Sequence, residues 1–406
     1  MEKRVLAHIY NSLYKFFISS IYLRKANEKK GHDGIIKVAF LVQMPEVWDK
    51  QAPVYEAMLN DDRFDPQIIV FPSFNRVRND FDEYGQELAY FVSLYPNEKI
   101  VKAYDRGSWI DLKELQFDYV FLQRCWENYL PKRYKTKKLI KYTKTCYIPY
   151  ASAGLKDGKE YFKSSFFNNL YICFCGSEER VSFHAPGKYR KVVFLGSPAV
   201  ETLINKNRCS DLHNSEMNVL WTPRWSENPK YGGTSFYKFM YHISKLKEYK
   251  GINVIFRPHP LMFQEFVKQG RFSEQQIKEY VDSLQNNGVV IDKNVLVEDT
   301  LIDASVLITD YSSIILNYFI MGRPVIYCAD TTIDFEKIYS KMVDCFYIAD
   351  NWDDVADCVL NIQMGIDPLK SKRDQLISEI IRDNENATEK IIEYIYMDHV
   401  GDSHIP

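Results

Sequence analysis

Two short stretches combine charged, imidazole and hydroxyl groups in a way that suits an anionic ligand. The first is Thr309-Asp310-Tyr311-Ser312-Ser313, set between apolar runs at 306–308 and 314–321. The second is Arg257-Pro258-His259-Pro260, which follows the apolar run 252–256. Ser312 and Ser313 fall in the first turn of a helix predicted over 312–321. A helix start offers free backbone N–H groups and a partial positive charge, and so favours phosphate. Asp310 or Ser312 could equally be a plain helix cap, since both residue types are favoured there. A second serine beside the first is more than a cap requires. In the other stretch, two prolines stiffen the loop and keep Arg257 and His259 out of helical geometry. A guanidinium clamps phosphate, and an imidazole donates to phosphate or acts as acid or base. A lone histidine is more often structural, but a rigid loop at a strand end favours a functional one.

Further candidates follow other strand-like runs. Arg224 and Trp225 end the run 218–223, although Trp225 could simply pack the loop. In the first half, the stretch 147–161 enters a glycine-containing turn, where Gly154, Lys156, Asp157 and Lys159 could meet an anionic acceptor. The stretch 194–203 reads as strand, Gly-Ser-Pro turn and helix start, with Ser197 at the turn. It could also be no more than a well-capped helix. His184 precedes it in a basic loop.

These residues need a frame that presents strand ends. Strand-like runs at 35–43, 66–72, 118–124, 145–150, 170–176 and 191–200 alternate with helical patterns. The second half repeats the style at 218–223, 252–260, 288–292, 306–310, 324–329 and 345–349. Such alternation predicts parallel βαβ units. We expect α/β architecture: two doubly wound Rossmann-like domains, over 31–206 and 215–366, facing a cleft. Ligands in such sheets bind beyond the carboxyl ends of the strands. The polar stretch 205–217 reads as the connection. Residues 369–396 read as one long amphipathic helix, within a segment 367–406 that packs back on the body.

The N-terminal stretch 4–30 has no acid until Glu28, many aromatic and Ile residues, and a basic end. It predicts an amphipathic helix suited to an anionic membrane surface. A helix packed on the body of the protein or on a partner chain is the alternative. No cleavable signal and no spanning helix is expected. With 406 residues and a formal net charge of −2, the chain shows no bias towards polyanions, which argues against a nucleic-acid partner. There is no Cys-x-x-Cys pair and no histidine spaced to complete a zinc site. The eight cysteines therefore read as reduced, buried thiols of a cytosolic protein. No Gly-x-Ser-x-Gly or Gly-x-Gly-x-x-Gly occurs, so acyl and hydride transfer are unsupported.

Taken together, the motifs resemble the CDP-glycerol glycerophosphotransferase family, the teichoic-acid primases and polymerases. That family's Arg-Pro-His-Pro loop is matched at 257–260. Its Thr-Asp-Tyr-Ser-Ser motif is matched at 309–313, and the following Pro-Ile/Val strand at 324–327. A Pro-Thr-Trp-Arg-like element at 222–225 and a Gly-Tyr-Pro-like turn at 196–198 fall in the same order. The resemblance covers about residues 145–330. It implies a GT-B fold and transfer of a polyol phosphate, glycerol or ribitol, from a CDP-activated donor, with CMP released. The acceptor would be a lipid-linked or saccharide hydroxyl in teichoic-acid, capsule or O-antigen synthesis, at the inner face of the cell membrane. Arg224, Arg257, His259, Thr309, Asp310, Ser312 and Ser313 would bind the donor. Gly154, Lys156 and Ser197 would bind the acceptor. The family's first-domain Trp-His-Gly is replaced here by Ala153 before Gly154, so the base is open among His259, Asp157 and His184. No carboxylate cluster resembles the Asp-x-Asp site of metal-dependent transferases, so neither a cofactor nor Mg²⁺ is expected. Two alternatives share this sequence: a GT-B glycosyltransferase using a nucleotide sugar, and a non-catalytic nucleotide- or polymer-binding module.

Overall fold

The runs of Val, Ile, Leu and Phe that flank the motif loops are buried strands in the computed structural model. It describes residues 17–29, 31–75, 78–149, 162, 164–184, 189–209, 216–294 and 297–401. The chain divides into two compact units. One is built mainly from residues up to 201 together with those from 384 onward, the other mainly from 202–383.

The first unit holds a seven-stranded sheet. Its strands are β1 (Ile36–Val42), β2 (Phe64–Val70), β3 (Ile100–Lys102), β4 (Tyr119–Leu122), β5 (Lys144–Tyr147), β6 (Ile172–Cys175) and β7 (Lys191–Phe194). They lie in the order β7-β6-β5-β4-β1-β2-β3, and every pairing is parallel. The strand residues of β4, β5 and β6 are buried throughout, as a sheet covered on both faces requires.

The second unit holds β8 (Met217–Thr222), β9 (Ile252–Phe256), β10 (Val290–Ile291), β11 (Val306–Thr309), β12 (Val325–Tyr327) and β13 (Tyr347–Ile348). Their order is β10-β9-β8-β11-β12-β13, again parallel. Register matters here. Thr222 pairs with Thr309, and Trp221 with Phe256, so β8, β9 and β11 end almost level. The chain therefore leaves three neighbouring strands side by side. Under this edge, Trp221 stacks on Phe236 at 5.8 Å and packs on Phe256 at 4.7 Å.

Three local readings of the sequence differ from the fold. Residues 205–209 continue the helix α3 (Pro198–Cys209), which follows α1 (Ala52–Leu59) and α2 (Glu178–Phe183) among the helices used below. Leu203 and Ile204 supply its buried face. The fall-off in apolar pattern marks an exposed helical end there, not an extended connection. Residues 234–249 are not one helix but two short pieces, Phe236–Phe239 and the 3₁₀ turn Ile243–Glu248. The C-terminal pattern is also two helices. A short α4 (Ile314–Phe319) lies earlier in the chain, and the terminal pair are α5 (Lys370–Asn384) and α6 (Ala387–Val400). Asn386 sits between the pair at φ 54°, a left-handed conformation that asparagine tolerates.

Helix α6 packs on the first sheet. Ile391, Ile392, Tyr394 and Ile395 join the core around Val38, Phe40, Val70 and Phe174. Glu201 holds the start of α6 by accepting from Thr388 N–H (2.9 Å) and Oγ1 (2.7 Å). Near its end, Asp398 is buried and accepts from Tyr119 Oη (2.6 Å), Tyr171 Oη (3.0 Å) and Lys144 Nζ (2.8 Å), and also from Lys191. Burial pushes this carboxyl up, but the two lysines outweigh it and hold it below its ordinary range.

The N-terminal stretch is helical over 17–28. Leu23 and Ala26 enter the first core, and Ser19 Oγ donates to Asn169 Oδ1 at 2.7 Å. Phe17 and Ile21 point outward, 66% and 39% exposed. Among the described residues, no helix is long and apolar enough to cross a membrane.

Candidate functional site

Asp310 answers why a carboxylate interrupts a buried strand–helix unit. It follows β11 and is wholly buried. Its Oδ2 accepts from two backbone N–H groups, those of Arg224 and Ser235, each at 2.9 Å. The loop after β8 is thereby clasped at both ends. Burial raises the carboxyl above its ordinary range despite these donors and the Arg224 charge. Read as a ligand contact from the sequence, Asp310 is placed instead as the group that holds the loop. Thr309 is likewise buried. Its hydroxyl donates to Thr222 O (2.8 Å) and accepts from Thr222 Oγ1 (3.0 Å), which ties the ends of β8 and β11 together. Neither side chain faces an open site.

The clasped loop carries Arg224. Its Nη1 donates to Tyr311 O at 2.9 Å, and its guanidinium lies 5.2 Å over the Tyr311 ring. Thr234 Oγ1 donates to Arg224 O at 2.6 Å. Gly232, at φ 81°, turns the loop where any Cβ would come within 3.1 Å of Ala329 and Ile333. Arg224 is thus set beside the start of α4. Ser312 Oγ accepts from Ile314 N–H at 3.4 Å, whereas exposed Ser313 makes no side-chain cap bond.

The Arg-Pro-His-Pro loop leaves β9 alongside. His259 is exposed and sits 5.6 Å from the Trp225 ring. Its Nδ1 accepts from Leu261 N–H at 3.1 Å, so the neutral ring carries its proton on Nε2. Desolvation against its neighbours, then the Arg224 charge, push its pKa down to about 4. Near neutral pH it is therefore a neutral hydrogen-bond donor. Arg257 is held differently: its Nη1 meets Asp292 Oδ2 at 2.5 Å. Asp292 also accepts from Thr300 Oγ1 (2.7 Å) and Asn294 N–H (2.9 Å). These bonds and the Arg257 charge overcome burial and keep its carboxyl low. Arg257 is an anchored cation, not a flexible clamp.

Arg224, His259, Ser312 and Ser313 are thus brought to one edge, and Arg257 lies next to them in the same loop. Ser235, Asp292 and Tyr311 were missed from the sequence. Asp292 had a readable signal, since it ends a strand as Asp310 does.

In the first unit, Ser197 is buried, and its N–H donates to Asn384 Oδ1 at 2.7 Å. His184 is buried between the rings of Phe162 (4.7 Å) and Phe167 (5.2 Å). A base must reach a substrate hydroxyl, and this burial does not suit that task. Its Nε2 lies 3.7 Å from Cys175 Sγ. The thiols of Cys173 and Cys175 complete the cluster, although no histidine is spaced in the sequence to complete a zinc site. The Cys173 hydrogen bond, then His184, pull Cys175 below an ordinary thiol, while burial pushes Cys173 up. Gly154, Lys156 and Asp157 lie outside the described residues. A cavity of about 370 Å³ lined by Lys29, His32, Lys37 and Asp118 lies at the amino ends of β1 and β4, the wrong end of the sheet for a ligand of this fold.

Residues 181–349 match the profile of the CDP-glycerol:poly(glycerophosphate) glycerophosphotransferase family. No curated protein matches the chain. Among solved structures, the wall teichoic acid polymerase TagF is similar at 13% identity and TM-score 0.59, over 99% of this chain and 98% of that one. A TagF variant soaked with CDPG matches at 13% identity and TM-score 0.57, over 98% of this chain and 97% of that one. UDP-GlcNAc 2-epimerase from Neisseria meningitidis, bound to UDP-GlcNAc, has 13% identity and TM-score 0.56, over 89% of this chain and 100% of that one. These likenesses establish the GT-B type of fold, with two parallel-sheet Rossmann-like domains. The matched segment, under half of the chain, contains Arg224, Arg257, His259 and the 309–313 motif, and it is similar to the domain of the CDP-glycerol:poly(glycerophosphate) glycerophosphotransferase family.

Proposed function

We propose that the chain moves glycerol phosphate, or a related polyol phosphate, from a CDP-activated donor to a hydroxyl acceptor in the synthesis of a teichoic-acid-like polymer. One observation carries this reading. Arg224, His259 and the Ser312–Ser313 pair gather at the carboxyl ends of three adjacent parallel strands, inside the segment that matches the family. TagF, with the same fold, is a wall teichoic acid polymerase, and one variant was soaked with CDPG.

In this reading the donor pyrophosphate lies against that edge. The acceptor oxygen forms a bond to the β-phosphorus. The bond from that phosphorus to the bridging oxygen breaks, and the electron pair leaves with CMP. Little covalent work falls to the protein; positioning and charge do most of it. Arg224 meets the charge that builds on the phosphates. The Nε2–H of His259 donates to a phosphate oxygen. Its other nitrogen is occupied by Leu261 N–H, so in this form the ring donates and does not accept the acceptor's proton. Ser313, with Ser312, adds hydroxyl donors. Asp310 and Asp292 act through the residues they hold. Asp157 is the remaining candidate base. The acceptor is lipid-linked or saccharide. The outward Phe17 and Ile21, beside Arg24 and Lys25, would bring the enzyme to an anionic membrane surface where such acceptors are found.

The test is release of CMP from CDP-glycerol in the presence of a poly(glycerol phosphate) primer. Arg224→Ala should lower kcat/KM roughly 10- to 150-fold, the loss of one charge-assisted bond. No CMP from the wild-type protein with either CDP-glycerol or CDP-ribitol would refute the reading.

A further inference from the structure

Cys173 and Cys175 both lie on β6. Two residues apart, they project from the same face of the sheet. That face is the core shared by Cys125, Tyr147, Phe166 and Phe167. The chain then turns into α2, and His184 stands directly after its last residue, with extended backbone. Strand and helix thus deliver two thiols and an imidazole to one point, although nine residues separate Cys175 from His184. The three ligand atoms lie within 4.8 Å of one another, and Cys175 Sγ is 3.7 Å from His184 Nε2. All three residues are buried.

We propose that Cys173, Cys175 and His184 form a structural site for a thiophilic transition-metal ion, Zn²⁺ in the first instance. Two sulfurs and an imidazole suit zinc or Cu⁺, not a hard cation such as Mg²⁺. Tetrahedral zinc at its usual bond lengths sets sulfur–sulfur edges of roughly 3.8 Å and sulfur–nitrogen edges of roughly 3.6 Å. The Cys175 Sγ–His184 Nε2 edge is already at that separation, and the other edges, within 4.8 Å, close by side-chain rotation. Two thiolates balance a divalent ion, and no net charge is added to the core.

Two further features of the surroundings point the same way. Among the described residues, the Nδ1 of His184 is buried without a hydrogen-bond partner, as are Nε and Nη1 of Arg190. The charges of Arg180 and Arg190 both act on Cys173, and N–H donors beside metal-bound sulfur are a common outer shell. Cys125 is a third sulfur on this face, placed close enough for its charge to act on Cys173, with water as the alternative fourth ligand. The ion would pin the end of α2 to the carboxyl end of β6. It is distinct from the donor site, which lies wholly in the other unit, and it takes no part in the transfer.

The test uses the full chain, purified without chelator. Elemental analysis should give about one zinc per chain. After removal and reloading with Co²⁺, thiolate-to-cobalt charge-transfer and tetrahedral d–d bands should appear, and Zn²⁺ should abolish them. Cys173→Ser and Cys175→Ser should each weaken Co²⁺ binding at least tenfold, and His184→Gln should shift the d–d bands. The cobalt titration of the wild-type chain decides the matter even if a variant fails to fold. Background metal content with no cobalt–thiolate band overturns the proposal.

Discussion

Replacing Asp310 with alanine should uncouple the β8 loop while leaving the sheet intact. The carboxylate accepts two buried backbone N–H bonds, from residues 86 and 75 positions away. Hydrogen bonds to a charged group contribute about 1.5–3 kcal/mol each, so the gross loss is roughly 3–6 kcal/mol. Part of that is offset, because the raised pKa shows that burying this charge is itself unfavourable. A net loss of about 2–4 kcal/mol remains in Asp310→Ala. An asparagine side chain would keep an oxygen for both N–H groups, so Asp310→Asn should lose less than about half as much. Urea unfolding followed by circular dichroism measures both variants, with the slope checked for two-state behaviour. The second readout is donor affinity. The alanine variant should bind CDP-glycerol at least tenfold more weakly even where it is fully folded, because Arg224 is then loosely held. If Asp310→Ala is as stable as the wild type, Asp310 is not the clasp. If it is destabilised but binds donor normally, the loop does not position the donor site.

Asp398→Ala should cost about 3–5 kcal/mol, since it strands the buried charge of Lys144 and the partly buried charge of Lys191. Its carboxyl is held low when folded. The stability it contributes is therefore present above about pH 4 and lost as pH falls below that, and acid unfolding of the variant should lack this limb. His259 has the opposite kind of shift. Its folded pKa of about 4 lies below the unfolded value near 6.5, so its contribution is full above pH 6.5 and lost as pH falls towards 4. The kcat/KM profile should accordingly show no break near 6.5 that His259→Gln removes. Deleting residues 1–30 should release the chain from vesicles rich in anionic lipid in a sedimentation assay; equal sedimentation of both forms would sink the membrane reading.

Much of this frame is legible in the residues. The β-branched runs at 219–222, 252–256 and 306–309 announce buried strands, and their alternation with helices announces parallel sheets. The motifs after them fall at strand ends, because such loops cannot continue as strand or helix. Roles were harder to read than places. Asp310 resembles a ligand in sequence, yet its partners are backbone N–H groups far along the chain, which no side-chain pattern encodes. Arg257 looks like a free clamp until Asp292 comes beside it through the β9–β10 pairing. The break at Asn386 is hidden because apolar residues continue on both sides of it. The thiol–imidazole cluster is hidden because its spacing matches no common zinc pattern; only the turn from β6 into α2 brings His184 back to the strand.

The central claim is a CDP-polyol site on the second sheet, and calorimetric titration of the purified chain tests it most directly. CDP-glycerol or CDP-ribitol should bind saturably, at least tenfold tighter than UDP-GlcNAc, and His259→Ala with Ser313→Ala should weaken that binding by a further factor of ten or more. Tight binding of UDP-GlcNAc with no heat from either CDP-polyol would contradict the account and move the chain to a nucleotide-sugar enzyme.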